Sequence, residues 1–312
     1  MNKTIREAYG EALVAVGKEN PRVIVLDADV SSSTKTGKFG ETFPDRFFNM
    51  GIAEANMMGV CAGLAATGFI PFANTFAVFA TSIGLAAARL YGSYSQLPIR
   101  VVGSYGGMSD AFDGPTHHAL EDIAVMRTLP KFEVFVASDE IQTKWLVKNA
   151  TKDLAPMYLR LSREAFPQIY EEETAFEKGK GKILREGTDV TVIACGLMVG
   201  NALKAAKILA QEEISVRVVD MFCIKPIDKE LILKCAQETG AIVTAEEHTL
   251  LGGLGSAVCE VLCVSSKQVP VSMVGIPDIH TESGPYKALQ KKYGLDENGI
   301  TDAIRRVIGK QE

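Results

Sequence analysis

The stretch EANMMGVCAGLAATGFIPFAN, residues 54–74, decides the fold. Beyond its opening Glu54, the part up to Thr67 is built of small and apolar residues on every face, the composition of a helix with no side turned to water. FIPFAN then gives an apolar run of strand length. A buried helix feeding a buried strand belongs to a parallel sheet covered on both sides. The same alternation extends outward in both directions. Upstream, residues 3–18 carry a helical period and VIVLDA (23–28) is a short β-branched run. Downstream come an apolar helix over 75–92, the strand IRVVGS (99–104) and a helix in HALEDIAVMRTL (118–129). FEVFVAS (132–138), EIQTKWLVKNA (140–150) and MYLRLS (157–162) continue as strand, helix and strand.

The rhythm breaks over 163–189, which is polar, punctuated by Pro and Gly, and carries a Glu triplet. Such a composition marks a junction. A second α/β unit follows. VTVIACG (190–196), SVRVVDMF (215–222), AIVTAEE (241–247) and VSMVGI (271–276) read as strands, with helices at 198–211, near 227–238, after Gly252 and at 297–310. The expected organisation is therefore a domain over 1–165, a linker over 166–188 and a second domain over 189–312. Both are α/β, each with a mainly parallel sheet covered by helices.

Composition narrows the function. The 312 residues are 47% apolar and 23% charged, enough to build a core and too apolar for a disordered chain. The net charge is −5 with no block of like charge, so neither nucleic acid nor an anionic membrane is expected as a partner. The apolar run Met57–Phe72 is 16 residues long and holds three glycines and a proline, too short and interrupted to span a bilayer. MNKTIREAYGEAL at the N-terminus reads as an amphipathic helix rather than a signal peptide, so the expected location is the cytoplasm. Six cysteines without CxxC spacing and only four histidines argue against a zinc site or a disulfide framework.

In open parallel sheets ligands sit beyond the carboxyl ends of the strands. Four loops qualify. DADVSSSTKT (27–36) contains Asp29 and Ser33; its hydroxyls either hold an anion or simply make turns. At Gly51-Ile-Ala-Glu54 a carboxylate opens an apolar helix, where it complements the helix dipole at the least. The next 18 residues carry no charge, so Glu54 is expected out of water, as functional carboxyls often are. GSYGGMSDAFDGPTHH (103–118) is a long polar loop with Tyr105, Asp113, His117 and His118, and such loops in compact domains usually carry function. Its His pair lacks a third ligand nearby, so no metal site is expected there. Arg160 and Arg163 close the last strand of the first unit, and strand alternation lets at most one face a site. No GxGxxG or GxxxxGKS is present, and GGLGSA (252–257) reads as a tight helix entry.

GIAEANMMGVCAGLAATGFIPFANTFAVFA (51–80), followed by DGPTHHALEDIAVMRTLP (113–130) and LSR (161–163), closely resembles the pyrimidine-binding domain of transketolases. HTLLGGLGSAVCEVL (248–262) resembles the transketolase C-terminal domain. The resemblance covers essentially the whole chain, and matches the form in which transketolase is split over two chains, this being the C-terminal part. It implies a subunit of an enzyme that uses thiamine diphosphate and Mg²⁺ to move a two-carbon ketol unit from a ketose phosphate to an aldose phosphate. Glu54 then matches the catalytic glutamate that hydrogen-bonds N1′ of the aminopyrimidine, and Phe76 and Phe79 the aromatics packed on that ring. Asp29 matches an aspartate near the thiazolium and Ser33 a serine that contacts sugar phosphate. Asp113 and His117 match residues that hold substrate hydroxyls, His117 counted with the catalytic groups, and Arg163 matches the arginine that binds substrate phosphate.

Three positions depart from the family pattern. Tyr105 stands where a second substrate-binding histidine is usual, Ser82 replaces an aromatic, and SDAF (109–112) replaces a glycine–glutamate run. These bear on the sugars rather than on cofactor activation. The family also binds diphosphate and Mg²⁺ through a GDG with a downstream Asn. This sequence has no GDG, so the resemblance implies no metal ligand here and a partner chain that carries the diphosphate-binding domain, in an α₂β₂ assembly. The β-subunit of a 2-oxoacid dehydrogenase, deoxyxylulose phosphate synthase and a non-catalytic paralogue that only binds the catalytic partner are the rival readings. DGPTHH with LSR favours sugar phosphate over pyruvate. Glu54, Phe79, Asp113 and His117 together speak against a mere scaffold.

Overall fold

The computed structural model describes residues 4–165, 167–266 and 268–309. The first helix, Ile5–Glu19, begins with a capping box: the Thr4 hydroxyl accepts from the Glu7 N–H, and the Glu7 carboxylate accepts from the Thr4 N–H. The Thr4 N–H, and the Thr4 hydroxyl that also donates to this carboxylate (2.9 Å), hold the Glu7 carboxyl below its ordinary range. Ile5, Ala8, Tyr9, Ala12, Leu13 and Val16 turn one face of the helix into the core.

Twelve strands are named here in chain order: β1 (Val23–Asp27), β2 (Phe47–Asn49), β3 (Ile70–Phe76), β4 (Arg100–Ser104), β5 (Glu133–Val136), β6 (Met157–Arg160), β7 (Lys182–Arg185), β8 (Val190–Ala194), β9 (Val216–Asp220), β10 (Cys223–Lys225), β11 (Ile242–Thr249) and β12 (Val271–Ile276). They form a seven-stranded sheet in the order β10-β5-β6-β4-β3-β1-β2 and a five-stranded sheet in the order β12-β11-β8-β9-β7. Among the described residues, the pairings between these strands are parallel except two at the edges, β10 with β5 and β7 with β9. The expected class, α/β with two mainly parallel sheets, is the one observed.

Both exceptions cut across the boundaries drawn from sequence. β7 lies inside the stretch read as linker, yet pairs Lys182 with Asp220 and Ile183 with Val219. β10 follows the second domain's β9 directly but adds an edge strand to the first domain's sheet, pairing Cys223 with Phe135. A three- or four-residue edge strand has too few positions to show a period. The apolar helix read over 75–92 is also broken, into Ala77–Thr81, a turn at Leu85–Ala87 and a π-helical segment Ala88–Tyr94. Ser82 explains part of this, since its hydroxyl donates to the Val78 carbonyl (2.6 Å) and competes with the helical ladder. The helix Glu54–Ala66 and strand β3 lie where the opening stretch placed them.

Candidate active site

Glu54 is the first residue of its helix and only 3% exposed. Its carboxylate accepts a hydrogen bond from the Thr75 hydroxyl (3.3 Å), which ties it to the carboxyl end of β3. The turn that delivers Glu54 is held from β2. Asn49 accepts from the Gly51 N–H (3.0 Å) and donates to Asp29 (2.8 Å). Gly51 has φ +68°, a conformation suited to glycine.

One residue beyond Thr75, Phe76 begins an aromatic wall. Phe76 and Phe79 stack with centroids 6.0 Å apart, and the His117 ring stands edge-on to Phe79 at 5.2 Å and to Phe76 at 6.2 Å. Both phenylalanines and His117 are half-buried, so the wall keeps an open side. Tyr105 packs on Phe76 at 4.5 Å. Its backbone is left-handed (φ +62°), where a non-glycine residue is strained, and this turns a buried phenol under the wall.

Around Tyr105 gather two cations. Arg6, from the first turn of the first helix, donates through Nη1 to the Tyr105 hydroxyl (2.6 Å) and to the Ser33 carbonyl (3.2 Å). The Arg163 guanidinium lies 5.2 Å from the Tyr105 ring centre and the Arg6 guanidinium 5.6 Å, within cation–π range. Arg163 Nη1 pairs with Asp110 Oδ1 at 2.8 Å. Burial, and then the nearby charge of Asp113, push the Asp110 carboxyl above its ordinary range, while Arg163 pulls it down.

The arrangement thus brings Phe76, Phe79, Tyr105 and His117 together, with Ser33 and Arg163 at the Tyr105 end and Glu54 reached through Thr75. Asp113 is exposed on the same loop as His117. Asp29 is also exposed and is tied to Asn49 rather than to the aromatic wall. The two arginines separate, though not by strand alternation, since β6 ends at Arg160 and Arg163 lies three residues beyond it. Arg160 is buried, bonded to Asp122 (2.7 Å) and to the carbonyls of Ala119 and Glu247, whereas Arg163 faces the site. The histidine pair separates too. His118 is buried against Thr281, and burial lowers its pKa, while His117 joins the aromatics. In the 27–36 loop, Thr34 and Thr36 donate to Asp27, which makes them turn-formers. Ser82 is exposed, its hydroxyl spent on its own backbone.

Three neighbours went unassigned in the sequence reading: Arg6, Thr75 and Asp110. Arg6 lies 99 residues from Tyr105 in sequence, so no local pattern could place it. Asp110 sits in the SDAF departure, an anomaly next to the known motif, and that was its only signal.

The fold and site define a two-domain α/β unit whose first domain offers a carboxyl, an aromatic wall and two guanidiniums at the carboxyl ends of parallel strands. Residues 2–168 match the family model of the transketolase pyrimidine-binding domain, and residues 179–300 that of the transketolase C-terminal domain. The chain belongs to the transketolase family, as the C-terminal chain of its split form. It is 41% identical over 311 residues to a transketolase C-terminal section from Methanocaldococcus jannaschii, covering 99% of this chain and 98% of that one. It is 37% identical over 307 residues to a 6-deoxy-6-sulfo-D-fructose transketolase subunit from Clostridium sp. (strain MSTE9), covering 98% of this chain and 95% of that one. A solved structure described as a split gene transketolase, an inactive beta4 tetramer, superposes with a TM-score of 0.90 at 46% identity, covering 100% of both chains.

Proposed function

We propose that this chain is the pyrimidine-binding subunit of a two-chain transketolase, moving a two-carbon ketol unit between phosphorylated sugars. The observation that carries this reading is the buried Glu54 carboxyl bonded to Thr75 of β3, one residue before Phe76, which forms the open stack with Phe79. An aminopyrimidine asks for a carboxyl at one ring nitrogen and an apolar face for the ring, and these residues fit both demands. Thiamine diphosphate, when bound, supplies the nucleophilic carbon that takes up the two-carbon unit.

Each residue of the chain then has a job. Glu54 exchanges a proton with ring nitrogen N1′, the one step for which a desolvated carboxyl is needed. Phe76 and Phe79 hold the ring plane and keep water from it. His117 and Asp113 orient substrate hydroxyls. Arg163, Arg6 and Ser33 face the anionic end of the sugar, where planar guanidiniums suit phosphate. Asp29 is assigned to the neighbourhood of the thiazolium.

A partner chain holding the diphosphate and Mg²⁺ is part of the proposal, in an α₂β₂ assembly in the cytoplasm. It is supported by the split relatives, which this chain matches over nearly their full length. Among the described residues no helix is long and apolar enough to cross a membrane. One wall of an interface is not expected to bind the cofactor tightly against the cost of immobilising it. Purified alone with thiamine diphosphate and Mg²⁺, the chain is expected to show no ketol transfer, and adding a GDG-containing partner is expected to restore it. Full turnover by this chain alone would overturn the two-chain reading.

A further inference from the structure

Near its end, at the seam between the domains, β11 carries Glu246, Glu247 and His248. Two of these side chains have plain structural work. Glu246 accepts from the N–H groups of Leu254 and Gly255 (2.7 and 2.8 Å), closing the N-terminus of the helix Leu254–Cys263 in its own domain. His248 Nδ1 faces the Thr249 carbonyl (2.7 Å) and Nε2 accepts from the Ala124 N–H (3.2 Å), a pattern that assigns the proton to Nδ1.

Glu247 reaches across the seam to the 103–118 loop. Its Oε1 accepts from the Met108 N–H (2.7 Å), and its Oε2 accepts from the Tyr286 hydroxyl (2.9 Å). It is 3% exposed. The approach is so close that a Cβ on Gly107 would stand 2.5 Å from the carboxyl carbon, and Gly107 has φ +69°. Gly107 also exchanges both backbone bonds with Ala119 (3.0 Å each), and Gly106 donates to the Leu161 carbonyl (2.9 Å). Glu247 is thus the second domain's charged hold on a turn whose near side bears Tyr105 and whose far side bears Asp110, the partner of Arg163.

We propose that Glu247 is a positioning residue for substrate: presented by the C-terminal domain, its carboxylate fixes the 105–110 turn so that Tyr105 and the Asp110–Arg163 pair meet the sugar's anionic end. The inference rests on reading that end of the site as substrate-binding. It gives the second domain a part in recognition although it contributes no residue to the aromatic wall.

The chemistry makes the hold sensitive to pH. Burial pushes the Glu247 carboxyl up to about 7. The Arg160 guanidinium and the hydrogen bonds from Met108 and Tyr286 oppose that rise, and the Glu164 carboxylate adds to it. Arg160 is in turn paired with Asp122. Below pH 7 the group is protonated, and the charge-assisted bond to Met108 becomes a weaker neutral one.

The test uses the enzyme assembled with its partner. Glu247→Gln keeps an acceptor for Met108 but removes the charge. KM for phosphorylated substrate is expected to rise about fivefold, the gap between a charge-assisted and a neutral hydrogen bond, with kcat within about twofold. The ionisation near 7 should also leave the pH profile of kcat/KM. In the chain labelled with ¹⁵N-methionine, the Met108 amide resonance should titrate near pH 7 in the wild type and stay fixed in Glu247→Gln. A Met108 amide that does not titrate, or a variant whose KM and pH profile match the wild type, overturns the proposal. The amide measurement needs no turnover, so its failure is distinct from failure of the functional reading, which would show as an inactive wild-type assembly.

Discussion

Arg163 Nη1 lies 2.8 Å from Asp110 Oδ1, an ion pair whose cation is half-exposed and whose anion is only 1% exposed. The pair joins a residue that the family motif supplies to one from the stretch where this sequence departs from it. An anchored guanidinium loses less rotamer freedom when it binds an anion. Its partner carboxylate also offsets part of the charge presented to that anion.

Arg163→Ala is therefore expected to weaken use of phosphorylated sugars by about 10–100-fold in kcat/KM, the range for losing a hydrogen bond between charged groups. An unphosphorylated donor such as hydroxypyruvate should be nearly unaffected. Asp110→Asn should act in the same direction but less, by freeing the guanidinium to wander. Steady-state kinetics on matched donors decides the point, and equal losses on both donors would remove Arg163 from the substrate site.

Tyr105 is expected to set sugar preference. A phenol bonded to Arg6 offers one hydroxyl on a rigid ring and gains no positive charge near neutral pH, unlike the imidazole usual at this position. Tyr105→His should raise kcat/KM for xylulose 5-phosphate with ribose 5-phosphate relative to other sugars. If that pair is already the best of a broad panel for the wild type, the role is wrong.

Glu54→Gln keeps the shape of the side chain, and the contact from Thr75, but cannot pass a proton. Exchange of the cofactor's C2 proton in the assembled enzyme should slow by about 10²–10⁴-fold, the usual share of a general acid–base. Wild-type exchange in a folded, cofactor-loaded variant would take the role away from Glu54.

How much of this could be read from the chain alone follows from where each signal lives. The helix and strand of 54–74 were legible because a long apolar pattern has no other low-energy home than a covered parallel sheet. Phe76, Phe79, Tyr105 and His117 were each singled out, and they meet because β3 and β4 are neighbours in the sheet. Arg6 was not legible, since it joins Tyr105 only once the first helix packs on the sheet. The crossing of the domains was hidden as well. Cys223–Lys225 pairs with a strand some 90 positions earlier, and three residues carry no period that announces it.

The same seam yields a stability prediction. Asp220 ends β9, and its Oδ2 accepts from Ser138 (2.9 Å) and Gln142 (2.9 Å) of the first domain and from Tyr170 (2.6 Å). Among the described residues no cation pairs with Asp220, and burial pushes the carboxyl from 3.8 to about 6, against the pull of those three donors. A carboxyl whose folded pKa is raised binds protons more tightly in the native than in the unfolded chain. Its contribution to stability is therefore full below about pH 4 and is lost as pH rises through about 6. The size is roughly 1–3 kcal/mol. Asp220→Asn retains an oxygen for the donors but cannot ionise. Measured against the wild type by denaturant midpoint, it should therefore gain relative stability steadily from pH 4 to 6 and hold a constant difference above. A difference that stays flat from pH 4 to 8 would show that Asp220 does not titrate in this window, and that the latch across the domains is indifferent to its charge.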